Sequence, residues 1–246
     1  MNKNYKNRIK KILALAKKEL VIWLYSPFFY GLLIFFLVFT SVWFYYLRHF
    51  FAMNSANLRP FFSSFPYAFT ALVPVLTMRS WAEERKSLSE EILFSLPLSE
   101  WELVLGKFFS CLFVILIVLV LSFPVPLSLM PLGFFDPGVI FAEYLGSLLF
   151  AASAIALGLF LSSLCKSQGA SFLSTAVILL LTNIISNLTP NLSLMFGNFL
   201  NTFSLSYHFE SFSRGLLDSR DILFFLLSTL LFLFLNTRVL IFRKWS

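Results

Sequence analysis

The sequence predicts an all-α integral membrane protein with six transmembrane helices, an N-terminal interfacial amphipathic helix and short outer re-entrant helices between helices 5 and 6. Of the 246 residues, 59% are hydrophobic and only 13% are charged. The mean hydropathy is +0.84. The charged residues leave uncharged windows of about 20 residues, the length that crosses a bilayer as a helix. Because no soluble domain needs so much apolar surface, residues 1–246 are predicted to form one transmembrane domain.

Residues 1–26 precede the first apolar run and are predicted to form a cytoplasmic amphipathic helix. Apolar residues recur at helical spacing along residues 9–24, and lysines fall largely on the other face. The apolar members are Ile9, Ile12, Leu13, Ala16, Leu20, Trp23 and Leu24. Such a helix lies on the inner leaflet. A solvated basic tail that only sets topology is the alternative interpretation. In either case Pro27 breaks the segment before the first span.

Six spans are predicted from the uncharged windows. They cover residues 27–47, 61–78, 108–130, 140–164, 169–188 and 222–242. Pro124, Pro126 and Pro131 predict a kink or an early end in the third helix, because proline has no backbone N–H to donate. Arg238 in the sixth helix lies near one end, where its side chain can extend to the interface.

The distribution of basic residues predicts the orientation. With the N-terminus in the cytoplasm, 15 of the 19 lysines and arginines fall in inner segments. The outer ones are Arg48, Arg59, Arg214 and Arg220. Because cytoplasmic segments carry this excess, we expect a multi-pass protein of the plasma (inner) membrane with both termini cytoplasmic. The net charge of +7 is then explained by topology and by contact with membrane lipids, and no nucleic acid is expected as a partner.

Residues 189–221, between helices 5 and 6, form the predicted outer segment. The segment is too apolar for a solvated loop and too interrupted for a full span. Its large apolar residues are Phe196, Phe199, Leu200, Phe203, Leu205, Tyr207, Phe209 and Phe212. Short helices that enter the outer leaflet fit this composition best.

The residues that catalysis requires are missing, so the chain is predicted not to be an enzyme. Helices 1 to 5 contain no buried ionisable residue apart from Glu143, which is placed at the interface, and both histidines fall in outer loops. The Gly106-Lys107 pair is not part of a phosphate-binding loop, because Trp101 stands where that loop requires its first glycine. Neither a metal site nor a cofactor is expected in this chain.

Polar residues on helix 5 are candidates for a transport path. The candidate residues are Ser174, Thr175, Thr182, Asn183 and Ser186. Hydrogen bonding between helices explains these residues about as well, so both interpretations stay open at this point.

The charged inner loop, residues 79–107, is predicted to be a docking surface for a soluble partner. It holds half of the twelve carboxylates of the chain, namely Glu83, Glu84, Glu90, Glu91, Glu100 and Glu102. Residues 88–96 are predicted to form a short helix that Pro97 ends. Ser99 and Glu102 have the spacing of a capping box that starts the helix leading into the third span. The alternative interpretation is a solvated charged loop.

In this loop the sequence resembles the permease subunits of ABC-2 type transporters, particularly the gliding-motility-associated branch. The matching residues are Glu83, Glu84, Arg85, Lys86, Glu91, Leu93, Leu96, Pro97, Ser99, Glu100, Trp101, Gly106, Lys107 and Phe108. Leu88 and Ser89 depart from the family pattern, which has Gly and Thr there. Residues 207–221 also look like the outer segment of the family.

The resemblance implies a function. This chain would be one half of a dimeric transmembrane unit, paired with a second permease subunit as a homodimer or heterodimer, and driven by a separate cytoplasmic ABC ATPase subunit that binds ATP and Mg²⁺. The coupling residues would be Glu83, Glu84, Arg85, Lys86, Glu91, Leu93 and Pro97. We expect an exporter. A different class of function, a non-transporting membrane anchor that recruits a cytoplasmic partner through residues 79–107, is the alternative.

Overall fold

The computed structural model describes residues 2–50, 57–87, 98–133, 135–188 and 201–244, and within these ranges the chain is helical and has no strand. The helices are α1 (Asn2–Tyr25), α2 (Pro27–Val42, followed by a π-helical turn at Trp43–Leu47), α3 (Arg59–Phe62), α4 (Phe65–Met78), α5 (Ala82–Lys86), α6 (Glu100–Ser122), α7 (Pro124–Leu129), α8 (Pro137–Leu164), α9 (Gln168–Leu188), α10 (Leu205–Ser213) and α11 (Ser219–Lys244).

Six helical stretches in the described part of the chain are long and apolar enough to cross a membrane. They are Pro27–Leu47, Arg59–Lys86, Glu100–Leu129, Pro137–Leu164, Gln168–Leu188 and Ser219–Lys244. Each overlaps one of the six predicted spans, so the prediction of a helical protein with six spans is confirmed. Below, the end of the bundle that carries α5 is called the α5 end, and the opposite end is called the α10 end.

The junction between α1 and α2 lies where the sequence places it. Ser26 leaves the helical conformation, with φ −81° and ψ 128°, because a residue before proline is disfavoured in the α region. Its side chain accepts a hydrogen bond from the backbone N–H of Phe28 at 3.3 Å. Pro27 then occupies the first turn of α2, where a missing N–H costs no hydrogen bond.

Helix α1 packs along α6 and is not a free tail. Leu15 contacts the backbone of α6 at Gly106, where an added Cβ would lie 2.5 Å from the Leu15 Cδ2. Ala16 and Trp23, two members of the predicted apolar face, are buried. Two others, Ile9 and Leu13, stay more than half exposed, at 55% and 53%. Part of the apolar face of α1 is therefore available to a surface other than the bundle.

Helices α4 and α8 form the centre of the bundle. Within the spans that contain them, 72% and 67% of the most apolar window is buried, against 22% for the spans of α2, α9 and α11. The two helices cross closely at Gly158, where an added Cβ would lie 2.5 Å from the Thr77 Oγ1. Aromatic rings fill the layer between α2, α4 and α8, since Phe36 packs on Phe69 and Phe69 on Phe150 with centroids 5.7 and 5.9 Å apart.

The helix of the third span starts at the predicted capping box and ends early, where the prolines predict it. The capping box at Ser99 and Glu102 is present, with both reciprocal hydrogen bonds, and it starts α6 at Glu100. Helix α6 ends at Ser122 and α7 begins at Pro124, so the prediction of a kink or an early end is confirmed as an early end.

The predicted outer segment is described in part. Ser204 caps α10 by accepting a hydrogen bond from the Tyr207 N–H, and Gly215 adopts φ +75° after α10 ends. The residues of this segment before 201 lie outside the described residues, as does the predicted helix at 88–96.

Candidate functional site

Helix α5 carries four of the predicted coupling residues. Glu83, Glu84, Arg85 and Lys86 all lie within Ala82–Lys86. The other three, Glu91, Leu93 and Pro97, fall outside the described residues. The four on α5 divide into two kinds: Glu83 and Lys86 are exposed, whereas Glu84 and Arg85 are partly buried.

Arg85 joins α5 to the end of α8. Its guanidinium donates hydrogen bonds to the backbone carbonyls of Ser163 and Cys165, each at 2.9 Å. Carbonyls in the last turn of a helix lack intrahelical hydrogen-bond partners and carry partial negative charge. An arginine here supplies the missing hydrogen-bond donors and a compensating positive charge. The Trp81 N–H also donates to the Ser162 Oγ at 3.3 Å. The α5 segment is thereby fixed to the C-terminal turn of α8.

Glu84 joins α5 to α6 through a buried ion pair. The Lys107 Nζ contacts the Glu84 Oε1 and donates to the Ser80 carbonyl at 2.8 Å. It also lies 4.8 Å from the centroid of the Trp81 ring, within range of a cation–π interaction. The side chain of Lys107 is only 3% exposed. Three partners thus compensate the burial of this charge, and α5 is attached to two different spans.

The exposed pair on α5 has a different character. Glu83 lies 3.9 Å from Arg79, with both side chains about half exposed, which is a contact of small energetic value. Glu83 and Arg79, together with residues of α1, border a cavity of about 320 Å³, whose lining also includes Lys18, Trp23 and Ser87. The α5 end therefore offers a concave, charged surface built from α1 and the inner loop.

The polar candidates on α9 do not share one role. The hydroxyls of Ser174 and Thr175 donate to the Ser171 carbonyl, and that of Thr182 donates to the Leu179 carbonyl.

Asn183 connects three helices. Its Nδ2 donates to the Thr70 Oγ1 of α4 at 2.8 Å, and its Oδ1 accepts from the Ser206 Oγ of α10 at 2.5 Å. Of the five candidates, Asn183 and Ser186 line a polar cavity of about 320 Å³ at the α10 end. The described hydrogen bonds of Asn183 fit a packing role, and the transport path stays a prediction.

The α10 end also contains Glu143, which the sequence analysis places at the membrane interface. Glu143, on α8, is buried within the bundle with 1% of its surface exposed. Its position relative to the membrane interface stays a prediction. A single sequence gives no signal for the extent of this burial, because residues from distant parts of the chain surround Glu143, among them residues 57–59 and the end of α10. Nearby, Glu210 accepts from both Arg59 and Arg214. The hydrogen bond from Arg214 to Glu210 raises the pKa of Arg214.

These features define a class of protein: a multi-pass helical membrane protein in which a short charged helix, α5, is fixed to two of the spans. Residues 52–238 match the family described as ABC-2 family transporter protein. Because this match covers more than half of the chain, the chain belongs to that family and is an ABC transporter permease. The predicted ABC-2 resemblance is thereby confirmed. No curated protein matches the chain closely enough to count as a relative.

Proposed function

We propose that the chain is the membrane-spanning permease of an ATP-driven exporter, working with a separate cytoplasmic ATPase subunit that binds ATP and Mg²⁺. The observation that carries the proposal is the double attachment of α5, through Arg85 to α8 and through Glu84 to α6. A helix held by hydrogen bonds to two spans passes a displacement to both of them. A solvated charged loop has no such contacts.

The proposed orientation puts the α5 end and both termini in the cytoplasm, in the plasma (inner) membrane. In this arrangement α1 lies in the inner leaflet interface. Its exposed Ile9 and Leu13 would face acyl chains, while its lysines would face anionic head groups. The outer segment would enter the outer leaflet as re-entrant helices. The basic-residue distribution supports this orientation.

A second permease subunit completes the proposed transporter, as a homodimer or a heterodimer. The helices α2, α9 and α11 present wide apolar faces that the described part of the chain leaves uncovered. Within the family, we assign the chain to the gliding-motility-associated branch on the loop residues Glu83 to Lys86 and Gly106 to Phe108.

Charge reversal at Glu83 tests the proposed function. The residue is exposed and its Arg79 contact is weak, so Glu83→Lys leaves the fold intact but places a wrong charge at the proposed ATPase contact. We expect roughly tenfold weaker stimulation of the ATPase by the reconstituted permease. The measurements are ATPase activity and copurification of the ATPase subunit.

The matched control is Arg220→Glu, a reversal at an exposed residue of the α10 end. It should leave ATPase stimulation unchanged. If Glu83→Lys stimulates the ATPase like the wild type, α5 is not the coupling element. A wild-type chain that binds the ATPase without stimulating it would instead be the membrane anchor considered above.

A further inference from the structure

A cleft of about 470 Å³ lies between α6 and α8, in the half of the bundle next to the α10 end. One wall comes from α6 and the residue after it, between Leu116 and Phe123. The other wall comes from the first part of α8, and Met130 closes the space between the two helices. The coupling of α5 to the spans does not use this cleft.

The lining of the cleft excludes water. Among the described residues that line it, Tyr144 alone has a polar side-chain atom. Its hydroxyl already lies 3.1 Å from the Ser122 hydroxyl, at hydrogen-bond distance. A buried water molecule needs about two to four polar partners, which this lining does not offer. The group that fills the cleft is therefore apolar.

The cleft is open at the side of the bundle. Leu119 and Ile140 form a buried floor, whereas Val120, Phe123 and Phe141 are exposed large apolar side chains at the rim. Helices α6 and α8 both belong to stretches that cross the membrane, so the hydrocarbon of the bilayer surrounds this rim. An apolar group can enter from the lipid without passing a charged residue.

The cleft has the length of one leaflet. Along α8 it runs from Pro137, the first residue of that helix, to Leu148. The eleven residue steps between them, at about 1.5 Å each, cover roughly 16 Å. The hydrocarbon core of a bilayer is about 30 Å thick, so one leaflet contributes about 15 Å. A lipid chain of the leaflet at the α10 end therefore matches the cleft in length as well as in polarity.

We propose that the cleft is a binding site for one acyl chain of a membrane lipid. The chain lies lengthwise between α6 and α8, with its ester end at Pro137 and its methyl end between Leu116 and Leu148. A chain on a single exposed helix has protein on one side only. Here two helices and the floor surround it, so more dispersion contacts hold it than hold the other lipids around the protein. The site requires only the folded chain, and it goes beyond the proposed transport function.

Photo-crosslinking of a retained lipid tests the proposal without any variant. The full-length chain is reconstituted in phosphatidylcholine bilayers that contain phosphatidylcholine with a diazirine in one acyl chain. It is then extracted into digitonin, which has no alkyl chain to compete for the cleft, and freed of unbound lipid before illumination. Peptide mass spectrometry should find most adducts on residues 116–123 and 137–148. Adducts mainly on other helices, or no retained lipid, would overturn the proposal.

Two positions of the diazirine test the orientation of the chain. A diazirine next to the ester should react near Pro137 and Phe141, at the end of the cleft where α8 begins. A diazirine next to the terminal methyl group should react near Leu116 and Leu148. The same adducts from both lipids would show that the chain does not lie lengthwise in the cleft.

A substitution that narrows the cleft tests the assignment a third way. The larger side chain in Leu148→Phe takes up space at the inner end, so the yield of lipid adduct should fall roughly fivefold or more. The matched control is Leu227→Phe on α11, because Leu227 is exposed and lies outside the cleft. Its yield should equal that of the wild type. An unchanged yield in Leu148→Phe would contradict the assignment. Failure of the ATPase experiment leaves these measurements untouched, because no ATPase is present in them.

Discussion

Lys107 is a charged residue held out of reach of water. Its side chain is 3% exposed, and its partners are Glu84, the Ser80 carbonyl and the ring of Trp81. Removing one partner of a buried ion pair is more damaging than replacing both, since the remaining charge stays buried without compensation.

Substitutions at this pair are expected to show that asymmetry. Lys107→Met should lower stability by about 3 kcal/mol, because Glu84 loses a partner while its side chain is only 17% exposed. The double variant with Glu84→Gln should recover much of that loss. Thermal unfolding in detergent of the two single variants and the double variant forms a double-mutant cycle. Additive losses would show that the two residues are not coupled.

The sequence predicted that the inner loop is important but not which of its residues are buried. Glu83, Glu84, Arg85 and Lys86 look alike as a charged run. The structure turns two of them inward because the end of α8 offers free carbonyls and α6 offers Lys107. These contacts join residues about eighty and twenty positions apart, and no local pattern encodes them. The extent to which Glu143 is buried likewise depends on contacts between distant parts of the chain.

At the scale of elements, small residues set how closely helices approach. Gly158 of α8 faces Thr77 of α4, and an added Cβ would lie 2.5 Å from the Oγ1 and 3.0 Å from the Cβ of that threonine. The Thr77 hydroxyl already donates to the Val73 carbonyl, so its side chain is held in place.

Gly158→Ala should therefore destabilise the bundle by about 1–3 kcal/mol, the usual effect of overpacking. Gly31→Ala is the matched control, since Gly31 lies within α2 and no atom lies within 4 Å of the added Cβ. The control should be neutral or slightly stabilising. The readout is the apparent Tm of both variants in the same detergent. Equal Tm values would mean that α4 and α8 separate easily at this crossing.

Element boundaries were predictable where a local signal sets them. Helix α1 ends before Pro27, α6 ends before Pro124, and α6 begins at the capping box of Ser99 and Glu102. Each signal acts on backbone hydrogen bonds within a few residues, so each can be read from the local sequence. The packing of α1 was less predictable. Leu15, which lies outside the predicted apolar face, makes the contact with Gly106, because the position of α6 decides which side of α1 is covered.

For the whole molecule, the orientation in the membrane is the prediction to measure. Cys165 lies at the α5 end and is partly exposed. Cys111 is buried, so it should not react with a thiol reagent and should add no background labelling. A membrane-impermeant maleimide should label Cys165 only after the cells are permeabilised. Asp218→Cys in a Cys165→Ser background moves the thiol to an exposed position at the α10 end and should react on intact cells. Labelling of Cys165 on intact cells would invert the proposed orientation.

The most buried of the six candidate spans is also the least apolar one. The stretch Arg59–Lys86 is the most buried, at 72%, and has the lowest hydropathy, 1.4, while Glu100–Leu129 has the highest, 2.9. A helix that touches lipid little can be less apolar, but during synthesis it enters the bilayer before α8 and α9 exist to cover it. We therefore expect α8 and α9, which the ribosome makes later, to assist the stable insertion of this span, so that the six spans are not all inserted as independent events.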